Sequence, residues 1–118
     1  MVDGDMKLLA VDIGNTTISF GLFENRKLSV KTKSPTAKFT KIPFSNYDSV
    51  VVSSVVPQAT KKIINQISIK PLILNSKNIP IKIEIKKPNE VGCDRLVNAV
   101  AAKELYGVPS VVIDLGTA

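Results

Sequence analysis

Leu8-Leu9-Ala10-Val11-Asp12-Ile13-Gly14-Asn15-Thr16-Thr17 is the stretch from which the rest of the chain is read. Its first half is apolar and fits a buried strand, Lys7 to Ile13. Its second half is a small acidic turn, in which Gly14 and Asn15 both tolerate unusual backbone angles. Alternation resumes from Thr17 to Phe23, so the two runs read as the arms of a β-hairpin. Glu24-Asn25 marks the next turn, and Lys27 to Lys33, with Leu28 and Val30 alternating, predicts a third strand.

Working outward, Pro35 to Ser45 holds two prolines and few large apolar groups, which predicts a loop or a short irregular helix. Ser49 to Val52 is a short apolar strand that enters Ser53-Ser54-Val55-Val56-Pro57. A proline suits the first turn of a helix, here expected over about 58–67 with Ile63, Ile64 and Ile67 as its buried stripe. Pro71 to Leu74 and Ile81 to Ile85 read as two further short strands, and Pro88 to Gly92 as a loop. Asp94 to Tyr106 carries the strongest helical pattern, with Leu96, Val97, Val100, Ala101 and Leu105 on one face; Gly107 is its C-cap and Pro109 follows. Ser110 to Leu115 predicts a last buried strand. The order is three antiparallel strands, then strand, helix, strands, helix and strand. It predicts an α/β fold, a ribonuclease-H-like domain with a mixed central sheet.

At 118 residues, 44% hydrophobic and 22% charged, the chain has the length and composition of one ordinary globular domain. No apolar run approaches the roughly 20 residues that cross a bilayer, so no membrane partner is expected. The acidic Met1-Val2-Asp3-Gly4-Asp5 is unlike a secretory signal, and with Met6-Lys7 as an alternative start, residues 1–5 read as an extension or tag remnant. A single cysteine, Cys93, excludes an intrachain disulfide or a zinc cluster and points to a reduced, cytoplasmic location. The absence of histidine excludes a Ser-His-Asp or Cys-His device within this chain. The net charge of +6 comes mostly from scattered lysines, and the clearest cluster, Lys82, Lys86 and Lys87, has no interleaved aromatics, a poor pattern for nucleic acid.

Three places carry chemistry. In Asp12-Ile13-Gly14-Asn15-Thr16-Thr17, Gly14 lets the backbone approach an anion, and the following N–H groups and hydroxyls suit phosphate oxygens. A carboxylate there makes sense if magnesium or its water shell intervenes. Taken alone, so short a pattern reads first as a plain hairpin turn. Asp114-Leu115-Gly116-Thr117-Ala118, behind Val111-Val112-Ile113, repeats the logic, and two such turns together can hold a nucleotide's phosphates. In Gly92-Cys93-Asp94-Arg95, Asp94 sits at a helix start, where the dipole favours its anion; an N-cap role explains it as well as a catalytic one. Arg95 suits a substrate carboxylate or a solvated surface. Cys93 reads as a small packing residue.

Together these places resemble the N-terminal half of the type III pantothenate kinases, also called the Bvg accessory factor family, within the actin-like ATPase superfamily. The matching stretches are Leu9 to Thr16 with Gly21-Leu22-Phe23, then Ser53 to Pro57, then Pro88-Asn89-Glu90-Val91-Gly92-Cys93-Asp94-Arg95-Leu96-Val97-Asn98-Ala99, and Tyr106-Gly107 through Val112 to Ala118. They cover the chain from Met6 onward, and Glu-Val-Gly-x-Asp-Arg is the most specific of them.

The resemblance implies ATP-dependent phosphorylation of pantothenate, the first step of coenzyme A synthesis. By that resemblance, Asp94 is the general base, and Gly92 and Arg95 hold pantothenate. Asp12, Gly14, Asn15 and Thr16 form the first phosphate loop, Asp114, Gly116 and Thr117 open the second, and Asp12 and Asp114 organise the metal. It further implies Mg2+, a monovalent cation (K+ or NH4+) and a dimer or higher assembly. The three carboxylates Asp12, Asp94 and Asp114 are expected to converge where the metal-bound triphosphate meets the alcohol.

Residues 6–113 then form the N-terminal kinase domain and 114–118 begin the second phosphate loop. The C-terminal domain is expected on a complementary half, a separate chain or a cleaved piece. Relatives carry an aromatic residue three positions before Pro88; Ile85 stands there, which alters the pocket wall. The competing readings are a non-catalytic binding or transcriptional accessory module of the same fold, and another sugar or acyl kinase of the superfamily.

Overall fold

The computed structural model describes residues 6–81, 84, 93–108 and 111 and divides into two compact units, the first ending at Ile73 and the second beginning at Leu74. The first unit is built on a five-stranded mixed sheet of order β3-β2-β1-β4-β5. Its strands are β1 (Lys7–Ile13), β2 (Thr17–Glu24), β3 (Lys27–Pro35), β4 (Ser49–Ser54) and β5 (Leu72–Ile73). β1 pairs antiparallel with β2 and parallel with β4, and β5 adds parallel to β4 after the helix α1 (Pro57–Ile64). The expected α/β class and mixed sheet are what is found.

Period-two alternation sorts the sheet into two faces. Leu9, Val11 and Ile13 of β1, Ile18 and Phe20 of β2, and Val50 and Val52 of β4 all turn to one side, where they are almost fully buried. Ala59 and Ile63 of α1 join that cluster. Phe39 and Ile42 do so as well, so the irregular segment after β3 is not a passive loop. Phe39 lies 5.9 Å from Phe20, centroid to centroid, in a tilted arrangement, and aromatic pairs of this kind favour such offset geometries. The Gln66 side chain pins the segment from the other end. Its Oε1 accepts from the Ile42 N–H and its Nε2 donates to the Thr40 carbonyl, both at 2.8 Å.

Several boundaries differ from those expected, each for a local reason. β4 runs on to Ser54 instead of ending at Val52, because its pairing with β1 continues to Ile13↔Ser54. α1 stops at Ile64, short of 67, where Asn65 caps it through its N–H to Lys61; Ile63 is fully buried, but Ile64 is 37% exposed. β5 is only Leu72–Ile73. β3 forms as a strand, yet Leu28 and Val30 are both about half exposed, because β3 is the sheet edge and its outer side meets water. Lys27, Lys31 and Lys33 along it discourage further strand pairing. The β2–β3 turn falls on Asn25-Arg26, both at positive φ (53° and 71°), one step later than Glu24-Asn25. Asparagine adopts this conformation readily; arginine does not.

In the second unit, α2 (Cys93–Tyr106) forms as expected, and Gly107, at φ +83°, ends it with an N–H to the Lys103 carbonyl at 3.1 Å. Its apolar face is only partly covered. Leu96 is buried and Val97 and Val100 are half-buried, whereas Ala101 is exposed and Leu105 is 72% exposed. Ile81 lies in a bend and Glu84 outside any strand; Lys82, Ile83 and Ile85 lie outside the described residues. So do the expected Pro88 to Gly92 loop and, Val111 apart, the expected strand Ser110 to Leu115. Val111 is 90% exposed. Among the described residues no helix is long and apolar enough to cross a membrane.

Two stability measurements follow. Phe20→Ala, which removes a ring 1% exposed, should cost about 3–5 kcal/mol in urea unfolding, whereas Val30→Thr on the open edge should stay within about 0.5 kcal/mol of the parent. Arg26→Gly, by relieving the left-handed backbone in a two-residue hairpin, should stabilise by about 0.5–1 kcal/mol; a midpoint unchanged or lowered would show that Arg26 is not strained.

Candidate functional site

β1 ends at the point where the sheet changes sense, with an antiparallel neighbour on one side and a parallel one on the other. Loops at the carboxyl ends of parallel strands at such a point are where α/β sheets bind ligands. Asp12 lies near the end of β1, and Gly14, Asn15 and Thr16 form the turn that follows it. Asp12 is exposed on the face opposite the packed core, because its neighbours Val11 and Ile13 point inward. Asn15 and Thr16 are exposed at the tip.

The turn is held by backbone hydrogen bonds on three sides. Gly14 N–H donates to the Thr17 carbonyl at 2.9 Å across its own mouth. Val55, just after β4, donates to the Ile13 carbonyl at 3.0 Å. Thr36, opening a single 3-10 turn Thr36–Lys38 after β3, donates its N–H to the Thr16 carbonyl at 2.9 Å and its Oγ1 hydroxyl to the Gly14 carbonyl at 2.8 Å. The sequence pattern did not single out Thr36. The only hint was its place directly after Pro35, where a Thr commonly satisfies backbone groups.

Gly14 is needed here for space and not for an unusual backbone angle. Among the described residues, positive φ occurs only at Asn25, Arg26 and Gly107, so neither Gly14 nor Asn15 is in the left-handed region. A Cβ on Gly14 would lie 3.2 Å from the Thr17 carbonyl oxygen, tighter than most real contacts. The turn is closed over its own backbone, and glycine leaves its outer side open.

Beside the turn, Ser54 organises the start of α1. Its Oγ accepts from the Val56 N–H at 3.0 Å and from Thr60 Oγ1 at 2.7 Å. The two serines of Ser53-Ser54 therefore have different roles, since Ser53 lies on the Asp12 face and is 8% exposed.

In the second unit, Asp94 and Arg95 are adjacent in the first turn of α2. Asp94 is the second residue of the helix, not a residue preceding it, and its Oδ1 accepts from the Arg95 N–H at 3.0 Å. It is half-buried and Arg95 is exposed. An anion in a first turn is favoured by the helix dipole, so the start of α2 suits a carboxylate. Asp12 belongs to the first unit and Asp94 to the second. Gly92, Asp114, Gly116 and Thr117 lie outside the described residues, as does Ile85.

The first turn suits a phosphate with its cation. Magnesium binds through one or two carboxylates together with phosphate oxygens and water, and needs no cage of protein ligands. A single exposed carboxylate beside glycine, asparagine and threonine meets that requirement. Among the described residues no three His, Cys, Asp or Glu side chains gather into a metal-binding set, so a transition-metal centre of that kind is not formed by them.

Comparison with known proteins adds the family. The model of the family described as type III pantothenate kinase matches residues 8–118. The chain is 34% identical over 134 residues to the type III pantothenate kinase of Moorella thermoacetica, an alignment covering 94% of this chain and 52% of that protein. It is 32% identical over 132 residues to the enzyme of the same name from Listeria welshimeri, covering 94% and 51% respectively. The chain thus spans about half the length of these curated relatives. With the family model matching nearly its whole length, this chain belongs to the type III pantothenate kinase family.

Proposed function

We propose that this chain supplies the N-terminal half of an ATP-dependent kinase that phosphorylates pantothenate to 4'-phosphopantothenate, the first step of coenzyme A synthesis. It acts with a C-terminal half of the kind its relatives carry. The observation that carries the reading is the braced turn Gly14 to Thr16 behind Asp12, at the sense change of the sheet, in a chain of this family.

Phosphoryl transfer asks a protein mainly for positioning and for control of charge. Asp12, Gly14, Asn15 and Thr16 hold the phosphates as the first phosphate loop, and Asp114, Gly116 and Thr117 belong to the second. Asp12 and Asp114 hold Mg2+, which neutralises the charge on the transferring group. Asp94 accepts the proton of the pantothenate hydroxyl, the task a carboxylate takes on in a chain without histidine. Arg95, exposed at the helix start, binds the pantothenate carboxylate, and Gly92 also contributes to holding pantothenate. A monovalent cation (K+ or NH4+), a dimeric or higher assembly and a cytoplasmic location complete the reading. Nucleic acid has no part in this reading, because the lysines are scattered and their clearest cluster, Lys82, Lys86 and Lys87, has no aromatic within it.

Two measurements test it. Mixed with the C-terminal half, the chain should phosphorylate pantothenate from ATP and leave other alcohols of similar size untouched, while neither half alone turns over. Turnover of a different alcohol, or a salt-steep gel shift with DNA in place of turnover, would overturn the assignment. In the assembled protein, Asp94→Asn should lower kcat by about 10²–10⁴-fold and leave nucleotide binding unchanged, as followed by single-turnover and equilibrium binding assays. A fall in nucleotide affinity with unchanged kcat would remove Asp94 from the base role.

A further inference from the structure

Ser53 is a buried hydroxyl with nothing to bond. Its Oγ is fully occluded and has no hydrogen-bond partner among the described residues, and it is the only buried side-chain polar atom of theirs in that position. A buried hydroxyl without a partner costs stability, so a strand would favour valine or alanine there unless the hydroxyl had a use. Its neighbour Ser54, by contrast, is occupied in holding the start of α1.

Register shows what Ser53 faces. It pairs with Asp12 on the parallel side, Asp12↔Ser53, and the antiparallel partner of Asp12 is also a serine, Asp12↔Ser19. Register partners on neighbouring strands project to the same face, spaced about 4.7–4.9 Å apart between strands. The carboxylate at the end of β1 is therefore flanked by a hydroxyl on each side, in one row across three strands. The next same-face row inward is Gly21, Ala10 and Val51, with no polar side chain. An ionised carboxylate offers about four lone-pair sites and no proton of its own. It can take a hydroxyl from each side and still present an oxygen to a cation.

We propose that Ser53, with Ser19 opposite it, is a positioning residue for Asp12: when the phosphate-bound cation arrives, the two hydroxyls turn to donate to the Asp12 carboxylate and fix the oxygen that holds the cation, whereas in the free protein the Ser53 hydroxyl stays unpartnered. This rests on the reading of Asp12 as a cation-holding carboxylate. Carboxylates that bind metals are themselves commonly hydrogen-bonded, and those outer partners govern affinity. Ser53 needs no contact with the nucleotide or the metal to act in this way.

The test is Mn2+ affinity in the presence of ATP, read by water-proton relaxation on the chain assembled with its C-terminal half, alongside thermal melting. Ser53→Ala should weaken Mn2+ binding by about 10-fold while Tm stays level or rises, because an unpartnered hydroxyl has been removed. Ser53→Thr, which keeps the hydroxyl on a residue suited to strands, should restore affinity to near the parent value, and Ser19→Ala should weaken it in the same direction as Ser53→Ala. Unchanged Mn2+ affinity in Ser53→Ala overturns the proposal. So does a loss that accompanies a fall in Tm, since that would mark a packing role. A parent protein that binds no Mn2+ with ATP overturns both this proposal and the cation role of Asp12. The expected pattern in a protein that never phosphorylates pantothenate leaves the serine row standing and defeats the kinase reading alone.

Discussion

β1 is paired with β2 along its whole length and with β4 along all but its first residue, and this pairing places the turn that follows it. Seven consecutive residues, Lys7 to Ile13, find partners on β2, and six of them on β4 as well. The strand start is anchored by Asp48, whose side chain accepts from the Lys7 N–H and whose own N–H donates to the Lys7 carbonyl, each at 2.8 Å. The strand end is held by Val55, which donates to Ile13. A strand fixed at both ends and both edges cannot slip, and the turn that follows it inherits that rigidity. Donors placed in advance of their ligand lose little on binding it, so the chemistry at Asp12 depends on the hydrogen-bond ladder beneath it.

Alternation lets one strand serve both stability and chemistry. Leu9, Val11 and Ile13 enter the core, while Asp12 faces the other way. A register slip of one residue would bury the carboxylate and expose three large apolar groups. Such a slip is opposed by the core on one face and by the bulge at Leu22/Phe23 in the β2–β3 pairing, where Ser29 Oγ donates to the Leu22 carbonyl at 3.0 Å. The position of Asp12 is therefore specified by hydrophobic burial on the face it does not occupy.

Periodicity made β1, β2, β4 and α2 legible, because each carries a repeat that fits only one kind of element. Asp12 was legible through the glycine that follows it two residues later. Three features were not. Phe39 and Ile42 stand between prolines without a period, and only the space left beneath the sheet explains their burial. Leu28 and Val30 alternate as well as any buried pair, but alternation does not say whether a strand lies at an edge. Ser53 and Ser19 are unremarkable in sequence, separated by over thirty positions, and become a pair only when the parallel and antiparallel registers are both known. Local patterns encode elements; cross-strand neighbours are set by the sheet order, which no single segment carries.

The acidic turn also constrains what can bind there. The chain carries a net charge of +6, which favours the approach of anions over distances of about a Debye length. At the turn itself the nearest formal charge in sequence is negative, since Asp12 precedes Gly14, Asn15 and Thr16. A bare phosphate would be drawn toward the molecule and repelled at the last few ångströms; a phosphate carrying its own cation would not. On the proposed reading of this turn, the combination favours a metal-complexed phosphate over a free one, and the preference weakens if the Asp12 carboxylate swings aside. On that reading, holding the carboxylate in one orientation matters for discrimination as well as for affinity, and the proposed role of the buried Ser53 hydroxyl beside it offsets that hydroxyl's cost in stability.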